Sequence, residues 1–551
     1  MADARTNLLY FGDNLDWLRK HTNFPDESID LIYLDPPFNS NRSYNVLFKE
    51  SDIRDSEAQI HAFEDTWAWD KEGRVQDVFN DFMVHAPQKA RDMLKAMVSA
   101  LGNNDVTAYL TMMAPRLVEL HRVLKQTGSI YLHCDPTASH YLKMLMDAIL
   151  GPQRFVNEIT WKRYGAHNDV GQGSRHFGRV HDVILFYSRS HETAWTQAFT
   201  PLTADYVDAT YRFVDPETER TFTTTPLTGP GGASKGNPVY EWNGHTRAWR
   251  YSRETMERLH AQGRLYYSRT GYARQKLYLE ESKGVPVQDV WTDIPSLSGA
   301  HKERLGYPTQ KPLALLERII SASSHPGDIV LDPFCGCGTA VHAAQNLDRR
   351  WIGIDITPVA TDLIRRRMQD AFPGLEVPID GWPADYAGAR ALADLPDKYH
   401  FQDWAVIQVG GRPAGGERKK GADRGIDGVI NFIDGMGGRG APKRGIISVK
   451  AGGTGPGAIR DLAGVVSRDQ DAAFGVFICI DQPTRPMLQE AHSHGSWTSE
   501  HDQRTYPVIQ ILTAQDLVDD KPVRMPWGAV PGMFARAQRE RGREGVQAEL
   551  T

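Results

Sequence analysis

The sequence predicts an α/β protein, and three stretches make the case. Ile29-Asp30-Leu31-Ile32-Tyr33-Leu34 is an apolar run that ends in Asp35, followed at once by Pro36 and Pro37. Asp328-Ile329-Val330-Leu331-Asp332 is a second such run, leading through a Gly-rich turn to a helix that begins near Thr339. Trp351-Ile352-Gly353-Ile354 is a third, ending in Asp355. Strands buried on both faces read as continuous apolar runs, and helix-covered α/β sheets are built from them. Open sheets of this kind bind ligands at the carboxyl ends of their strands, where all three acids stand.

The first turn has the chemistry to hold a planar base. Asp35 offers a carboxylate and Pro36 a carbonyl, while Pro37 has no N–H to compete for that carbonyl. Phe38 offers a flat apolar face. Two acceptors beside a stacking ring suit an exocyclic amino group, whose nitrogen lone pair would be drawn out of conjugation and become nucleophilic. The alternative is a strand closed by a stiff proline turn, with Asp35 as a cap.

The second and third stretches form a pair. Pro333-Phe334-Cys335-Gly336-Cys337-Gly338 lets backbone approach a ligand closely. Asp355 follows Asp332 by 23 residues, and an acid about 20 residues on, at the next strand end, binds ribose hydroxyls in nucleotide sites.

Together, D-P-P-F and D-P-F-C-G-C-G-T resemble the catalytic and cofactor motifs of the amino-group DNA methyltransferases. Their order here, catalytic motif first, resembles the permuted β group of that family, over roughly residues 7–375. The resemblance implies a Rossmann-like S-adenosylmethionine-dependent methyltransferase sheet. It also implies a double-stranded DNA substrate and the catalytic residues Asp35, Pro36, Pro37 and Phe38. The cofactor residues it implies are Asp13, Lys311, Asp332, Phe334, Gly336, Gly338, Thr339 and Asp355. Asp in the first motif position is commoner in that family with adenine, and Ser with cytosine, so adenine N6 is expected and cytosine N4 stays open. The β group often dimerises, which makes a homodimer part of the expectation.

Composition bounds the rest. At 551 residues, two or more domains are expected. Apolar residues are 40% and charged residues 24%, which supports a large core and does not imply disorder. The net charge of −6 does not announce a nucleic-acid partner, so DNA contact must come from local basic surface. Four scattered cysteines do not make a disulfide framework. Cys335 and Cys337 read as small fillers of the turn rather than metal ligands. No apolar stretch of about 18 residues occurs and the N-terminus is polar. A soluble, cytoplasmic protein with no membrane partner is therefore expected, and the resemblance implies a prokaryotic, nucleoid-associated one.

Along the chain, Asn7–Asp13 reads as a strand and Asn14 to Lys20 as a helix, with Asp13 either touching the cofactor or capping that helix. Residues 39–104 read as a loop over the active site, with Asn39, Tyr44 and Lys49 as substrate candidates. Residues 107–125 read as a helix, 129–135 as a strand, and His140 to Leu150 as a helix. His133 is either catalytic or a satisfied core group. Strands follow at 155–163 and 183–187, and the loop Tyr164 to Arg179 between them reads as a DNA contact.

Residues 190–300 read as the target-recognition insert of a methyltransferase domain spanning 1–375. Its cations include Arg212, Arg220, Arg247, Arg250, Arg264, Arg274 and Lys276, set among aromatics. Lys311 lies in Gly306–Pro312, which resembles the family's cofactor-side motif. Arg365, Arg366 and Arg367 read as a solvated helix face.

Residues 376–400, with Pro378, Gly381, Pro383, Gly388 and Pro396, read as a linker. Residues 401–551 read as a smaller C-terminal α/β domain. Its G-I-D at Gly425–Asp427 and S-V-K at Ser448–Lys450 resemble the Mrr-type restriction-endonuclease fold. Ser448 stands where that fold carries Glu or Gln. Asp427 and Lys450 are the nuclease-like candidates, and Asp427 would hold Mg²⁺ only if this domain cleaves DNA. Three functions are open: a methyltransferase whose C-terminal domain only binds DNA, a single-chain restriction–modification enzyme, and a non-enzymatic DNA-binding regulator. The intact D-P-P-F motif favours the first two, and Ser448 favours the first.

Overall fold

Nine strands assemble into the sheet that carries the acid-ended runs. In the computed structural model, the described residues are 5–37, 69, 74–165, 175, 177–297, 301, 303–305, 310–395, 397–413, 426–435 and 441–526. Phe38, Asn39, Tyr44 and Lys49 lie outside them, as does most of the loop from Tyr164 to Arg179.

In chain order the strands are β1 (Leu8–Phe11), β2 (Ile29–Leu34), β3 (Leu124–Cys134), β4 (Phe155–Lys162), β5 (His181–Ser188), β6 (Val290–Trp291), β7 (Ile329–Asp332), β8 (Arg350–Asp355) and β9 (Ile379–Asp380). Their order across the sheet is β6-β4-β5-β3-β2-β7-β8-β1-β9. Only β5 runs against the others, pairing antiparallel with β3 and β4. The register sets Leu331 beside Ile32 and Ile352, and Phe11 beside Asp355. The ends of β1, β2, β7 and β8 therefore share one edge. The chain leaves β2 toward β3 on one side and β7 toward β8 on the other, so Asp35 and Asp332 flank the switch point where such sheets bind ligands.

The strands form here because their side chains are buried on both faces. Leu31, Ile32, Leu34, Leu331, Ile352 and Ile354 have no exposed surface. Helices cover them. The longest, α4 (Asp105–Val123), follows α1 (Asn14–Leu18), α2 (Arg74–His85) and α3 (Gln88–Leu101). An Asn104/Thr107 capping box starts α4. The expected loop over residues 39–104 is thus helical from Arg74 onward, and α2 and α3 pack Phe82, Leu94 and Met97 into the same core as β2. Further cover comes from α5 (Ser139–Leu150), α6 (Leu313–Ser323), α7 (Thr339–Asn346) and α8 (Pro358–Ala371).

The stretch read as a linker is structured. Ile379 and Asp380 extend the main sheet beside Leu9 and Tyr10. Helix α9 (Tyr386–Asp394) buries Ala389, Leu392 and Ala393. The prolines and glycines mark bends between short elements. At Gly381, where φ is +97°, an added Cβ would lie 2.4 Å from the Phe11 carbonyl oxygen, so only glycine passes.

Helix α10 (Tyr399–Gln408) then packs on a five-stranded sheet made of β10 (Arg412–Pro413), β11 (Gly428–Asp434), β12 (Ala441–Lys450), β13 (Ala472–Cys479) and β14 (Ile509–Thr513), in that order. β11 and β12 are antiparallel, while β12, β13 and β14 are parallel. The parallel crossovers carry α11 (Pro456–Arg468) and α12 (Arg485–Ser493). One core joins Phe11, the segment 379–393 and this sheet, so residues 401–526 share a compact unit with the nine-stranded sheet.

The other compact unit is Gln197–Gln288. Its four-stranded antiparallel sheet, ordered 265–267, 273–278, 221–226 and 213–214, accompanies a small core of Leu227, Trp249, Met256, Leu265 and Ala273. Four of the cations read as DNA contacts are engaged internally. Arg220 and Arg264 pair with Glu281, Arg274 donates to the Thr224 hydroxyl and carbonyl, and Lys276 pairs with Asp215. Arg212, Arg247 and Arg250 are exposed.

Gly445 of β12 has no room for a side chain, since a Cβ there would lie 2.4 Å from the Phe474 ring. Gly445→Ala should destabilise the C-terminal sheet by about 1–3 kcal/mol through overpacking. Denaturant unfolding followed by the fluorescence of Trp404 and Trp497 would measure it.

Candidate active site

Asp35 leaves the end of β2 one residue beyond its last ladder pair, Leu34 with Leu132. Pro36 and Pro37 follow outside any helix or strand. The Asp35 carboxylate is ion-paired with Lys311, just ahead of α6, and both side chains are mostly buried. Lys311 was expected on the cofactor side. The structure brings it against the catalytic candidate, across 276 positions of sequence.

The Gly-rich turn is held from several directions. Phe334 N–H donates to Asp332 Oδ1 at 3.0 Å, and Gly336 N–H donates to Asp355 Oδ2 at 2.9 Å. Gly336 and Gly338 have φ of +49° and +75°, conformations that L side chains resist. A Cβ on Gly338 would also meet Ile364 of α8 at 2.8 Å. Cys335 and Cys337 are buried fillers of the turn, and Thr339 opens α7. Arg367 does not face solvent as expected. Its guanidinium donates to the Cys337 carbonyl at 2.9 Å. Arg365 and Arg366 pair with the buried Asp362.

Asp355 accepts from Gly336 N–H on one oxygen and from the Thr357 N–H and hydroxyl on the other, each at 2.9 Å. Burial pushes its carboxyl up to about 6, against the pull of those hydrogen bonds. Asp332 is raised well above the usual carboxylate range. Burial is the main cause, the Phe334 N–H opposes it, and the Asp35 and Asp355 charges add to it.

Asp13 does cap α1, accepting from Leu15 N–H at 2.7 Å. Both its oxygens also accept from Arg116 Nη2 of α4, at 2.7 and 2.8 Å. The Arg116 Nε donates to Asn14 Oδ1 at 2.6 Å, and the Asn14 amide donates to the Pro333 carbonyl at 2.7 Å. This network runs from α4 through the β1–α1 turn to the Gly-rich turn, and keeps Asp13 at its rim. Asn14, Arg116 and Arg367 were missed from sequence. An asparagine after G-D and an arginine on the apolar α4 were the available signals. His133 is fully buried and bonded on both ring nitrogens, as the core alternative expected.

In the C-terminal sheet the strands bring Asp427 and Lys450 together, with Lys450 Nζ 3.9 Å from Asp427 Oδ2. That same oxygen accepts from Val449 N–H at 2.7 Å and from the Ser448 hydroxyl at 3.4 Å. Among the described residues no cluster of three or more His, Cys, Asp or Glu could hold a metal ion. No helix among them is long and apolar enough to cross a membrane.

A DNA methylase family model matches residues 29–366, which span both acid-ended turns and the sheet between them. The chain belongs to that family. It is 34% identical to the type II methyltransferase M.EcaI of Enterobacter cloacae over 270 residues, 47% of this chain and 57% of that protein. It is 30% identical to the StyLTI type III restriction-modification Mod subunit of Salmonella typhimurium, over 62% of this chain and 50% of that one. The chain thus spans about half the length of these two relatives. Among solved structures, the Thermus thermophilus protein TTHA0409 in its complex with S-adenosyl-L-methionine is 16% identical. It aligns over 68% of this chain and 97% of its own, with a TM-score of 0.32.

Arg116→Met would leave the buried Asn14 Oδ1 without its donor and remove the ion pair of Asp13. It should lower stability by about 1–3 kcal/mol, the cost of unsatisfied buried polar groups, as read by denaturant unfolding of the full chain.

Proposed function

We propose that this chain is a site-specific DNA methyltransferase that transfers a methyl group to the N6 amino group of adenine. One observation carries the reading: Asp35 stands at the end of β2 beside Asp332 at the end of β7, flanking the switch point of the sheet. The family match supports the methyltransferase class. The choice of adenine rests on Asp in the first position of D-P-P-F, and cytosine N4 is the alternative.

The residues present fit S-adenosylmethionine. Gly336 and Gly338 permit close backbone approach. The carboxylates Asp13, Asp332 and Asp355, at the ends of β1, β7 and β8, offer acceptors to hydroxyl and ammonium groups. When bound, that cofactor supplies an electrophilic methyl group. Asp35 and the Pro36 carbonyl would accept hydrogen bonds from the amino group of the target base. Lys311 shares Asp35, so the base must compete with an ion pair already in place. The target must leave the duplex stack, at a cost of a few kcal/mol, because its amino nitrogen cannot be reached inside it. Phe38, by its place in the motif, would stack on the extruded base. Methylation of the amino nitrogen would require it to lose one proton, and Asp35 would be the base at hand. The 197–288 unit, with Arg212, Arg247 and Arg250 exposed, is the proposed reader of the site.

For the C-terminal sheet we propose DNA binding without cleavage. The Asp427 oxygen nearest Lys450 is already engaged by Val449 N–H and Ser448. A second reading, Mg²⁺-dependent cleavage, draws on the nearness of Asp427 and Lys450.

The test is nucleoside mass spectrometry on unmethylated genomic DNA, treated with the protein and S-adenosylmethionine, with and without Mg²⁺. N6-methyladenine on intact DNA is expected. N4-methylcytosine would overturn the base, and no methylated base would overturn the class. Asp35→Ala should cut the rate by at least about 100-fold, the scale of losing one preorganised electrostatic partner. Lys450→Ala should leave methylation unchanged. Mg²⁺-dependent fragments that disappear in Lys450→Ala would establish the second reading.

A further inference from the structure

A buried polar chain crosses the carboxyl edge of the sheet beside Asp35. The Tyr33 hydroxyl lies 2.9 Å from His133 Nδ1, and His133 Nε2 lies 3.0 Å from Asp182 Oδ2. Asp182 Oδ1 is 3.2 Å from Arg163 Nε. Tyr33, His133 and Asp182 are 2%, 0% and 3% exposed. The chain joins four strands in succession: the ends of β2 and β3, the start of β5 and the residue after β4. Burial alone would raise the Asp182 carboxyl. The hydrogen bond and charge of His133, with Arg163 and Lys311, outweigh burial and hold it below the ordinary carboxylate range.

Packing alone does not call for such a chain, because a buried ion pair is on average no more stabilising than apolar groups of similar shape. Its location gives the reason. Tyr33 stands two residues before Asp35, which lies one residue past the end of β2. Asp35 has no ladder partner, and the strand before it is held up to Leu34, with Tyr33 opposite Tyr131. The Tyr33 hydroxyl is fixed by His133, whose ring lies edge-on to the buried Trp161. At the far end, Arg163 begins the connection from β4 to β5. Its N–H and that of Tyr164 both donate to the Val180 carbonyl, closing the stem.

We infer that the Tyr33–His133–Asp182–Arg163 chain is a positioning device for Asp35, tying the strand that carries the carboxylate to the stem of the β4–β5 connection. His133 and Tyr33 are positioning residues. They act on the reaction through the aim of Asp35, and the inference rests on the methyltransferase reading. A small displacement of a reacting group costs rate without costing cofactor binding, since the Gly-rich turn follows β7 and is tied to the end of β8 through Asp355.

The experiment compares wild type with Tyr33→Phe, His133→Leu and His133→Gln. Initial rates of base methylation at saturating genomic DNA and S-adenosylmethionine are measured beside calorimetric binding of S-adenosylhomocysteine. Tyr33→Phe and His133→Leu should lower kcat by about 10- to 100-fold, the scale of a misplacement near 1 Å, with S-adenosylhomocysteine affinity unchanged. His133→Gln, whose amide can accept from Tyr33 and donate to Asp182, should recover much of that loss. Wild-type kcat in Tyr33→Phe and His133→Leu would overturn the inference. So would parallel loss of kcat and S-adenosylhomocysteine binding with no advantage of Gln over Leu, which marks a purely structural role. An inactive wild type would instead overturn the methyltransferase reading, and the inference with it.

Discussion

Several carboxylates share one edge of a parallel sheet, and the site depends on how their charges are balanced. Asp35, Asp332 and Asp355 end three strands that the ladder holds in register. Burial and the nearby Asp35 and Asp355 charges disfavour ionisation of Asp332, and burial does the same to Asp355. Two kinds of group offset this. Backbone N–H groups of Phe334, Gly336 and Thr357 point at the acids. Lys311 pairs with Asp35 and, through its charge, favours the ionised forms of Asp332 and Asp182. The left-handed glycines follow from the first of these, because the turn must fold back to present Gly336 N–H to a strand end.

The same balance limits what the edge can bind. A neutral amino group can share Asp35 with Lys311, since it brings hydrogen-bond donors and no charge. A cation would meet Lys311, and an anion would meet the remaining acids. On the proposed reading, Asp35 receives a neutral donor, and the sulfonium and ammonium charges of the cofactor would meet the remaining acids. Arg116 lies further out, neutralising Asp13 and, through Asn14, holding the Pro333 carbonyl. The charge at the rim is satisfied before any ligand arrives.

Much of this was legible in the sequence, for a physical reason. The strands β2, β7 and β8 are apolar on both faces and end in acids, so composition alone marks both strand and terminus. The glycines of the turn announced their own backbone. Long-range partners were illegible. Lys311 gives no local sign that it meets Asp35, nor Arg116 that it meets Asp13, because only the fold sets those distances. Arg365, Arg366 and Arg367 looked like a solvated face because the acid and carbonyl they serve, Asp362 and Cys337, are buried. The segment 376–400 read as a linker because prolines and glycines punctuate short elements as readily as they do loops. In the 197–288 unit, Asp215 and Glu281 take up cations that composition offered to DNA.

Asp355 shows how one residue serves both the fold and the proposed reaction. A carboxylate has about four acceptor positions. Among the described residues three are filled, two on the oxygen facing Thr357 and one on the oxygen facing Gly336. One position is left, beside the Gly-rich turn, which is enough for a single hydroxyl. The same carboxylate that shapes the turn can therefore receive a ribose without releasing it. Asparagine would not substitute, because its amide nitrogen would set a donor against an N–H that must be accepted. Burial raises the Asp355 carboxyl to about 6, so it is largely ionised at neutral pH and keeps that acceptor available. The desolvation that makes this acid costly to bury also makes a hydrogen bond to it strong, which is the property a cofactor contact at a strand end requires.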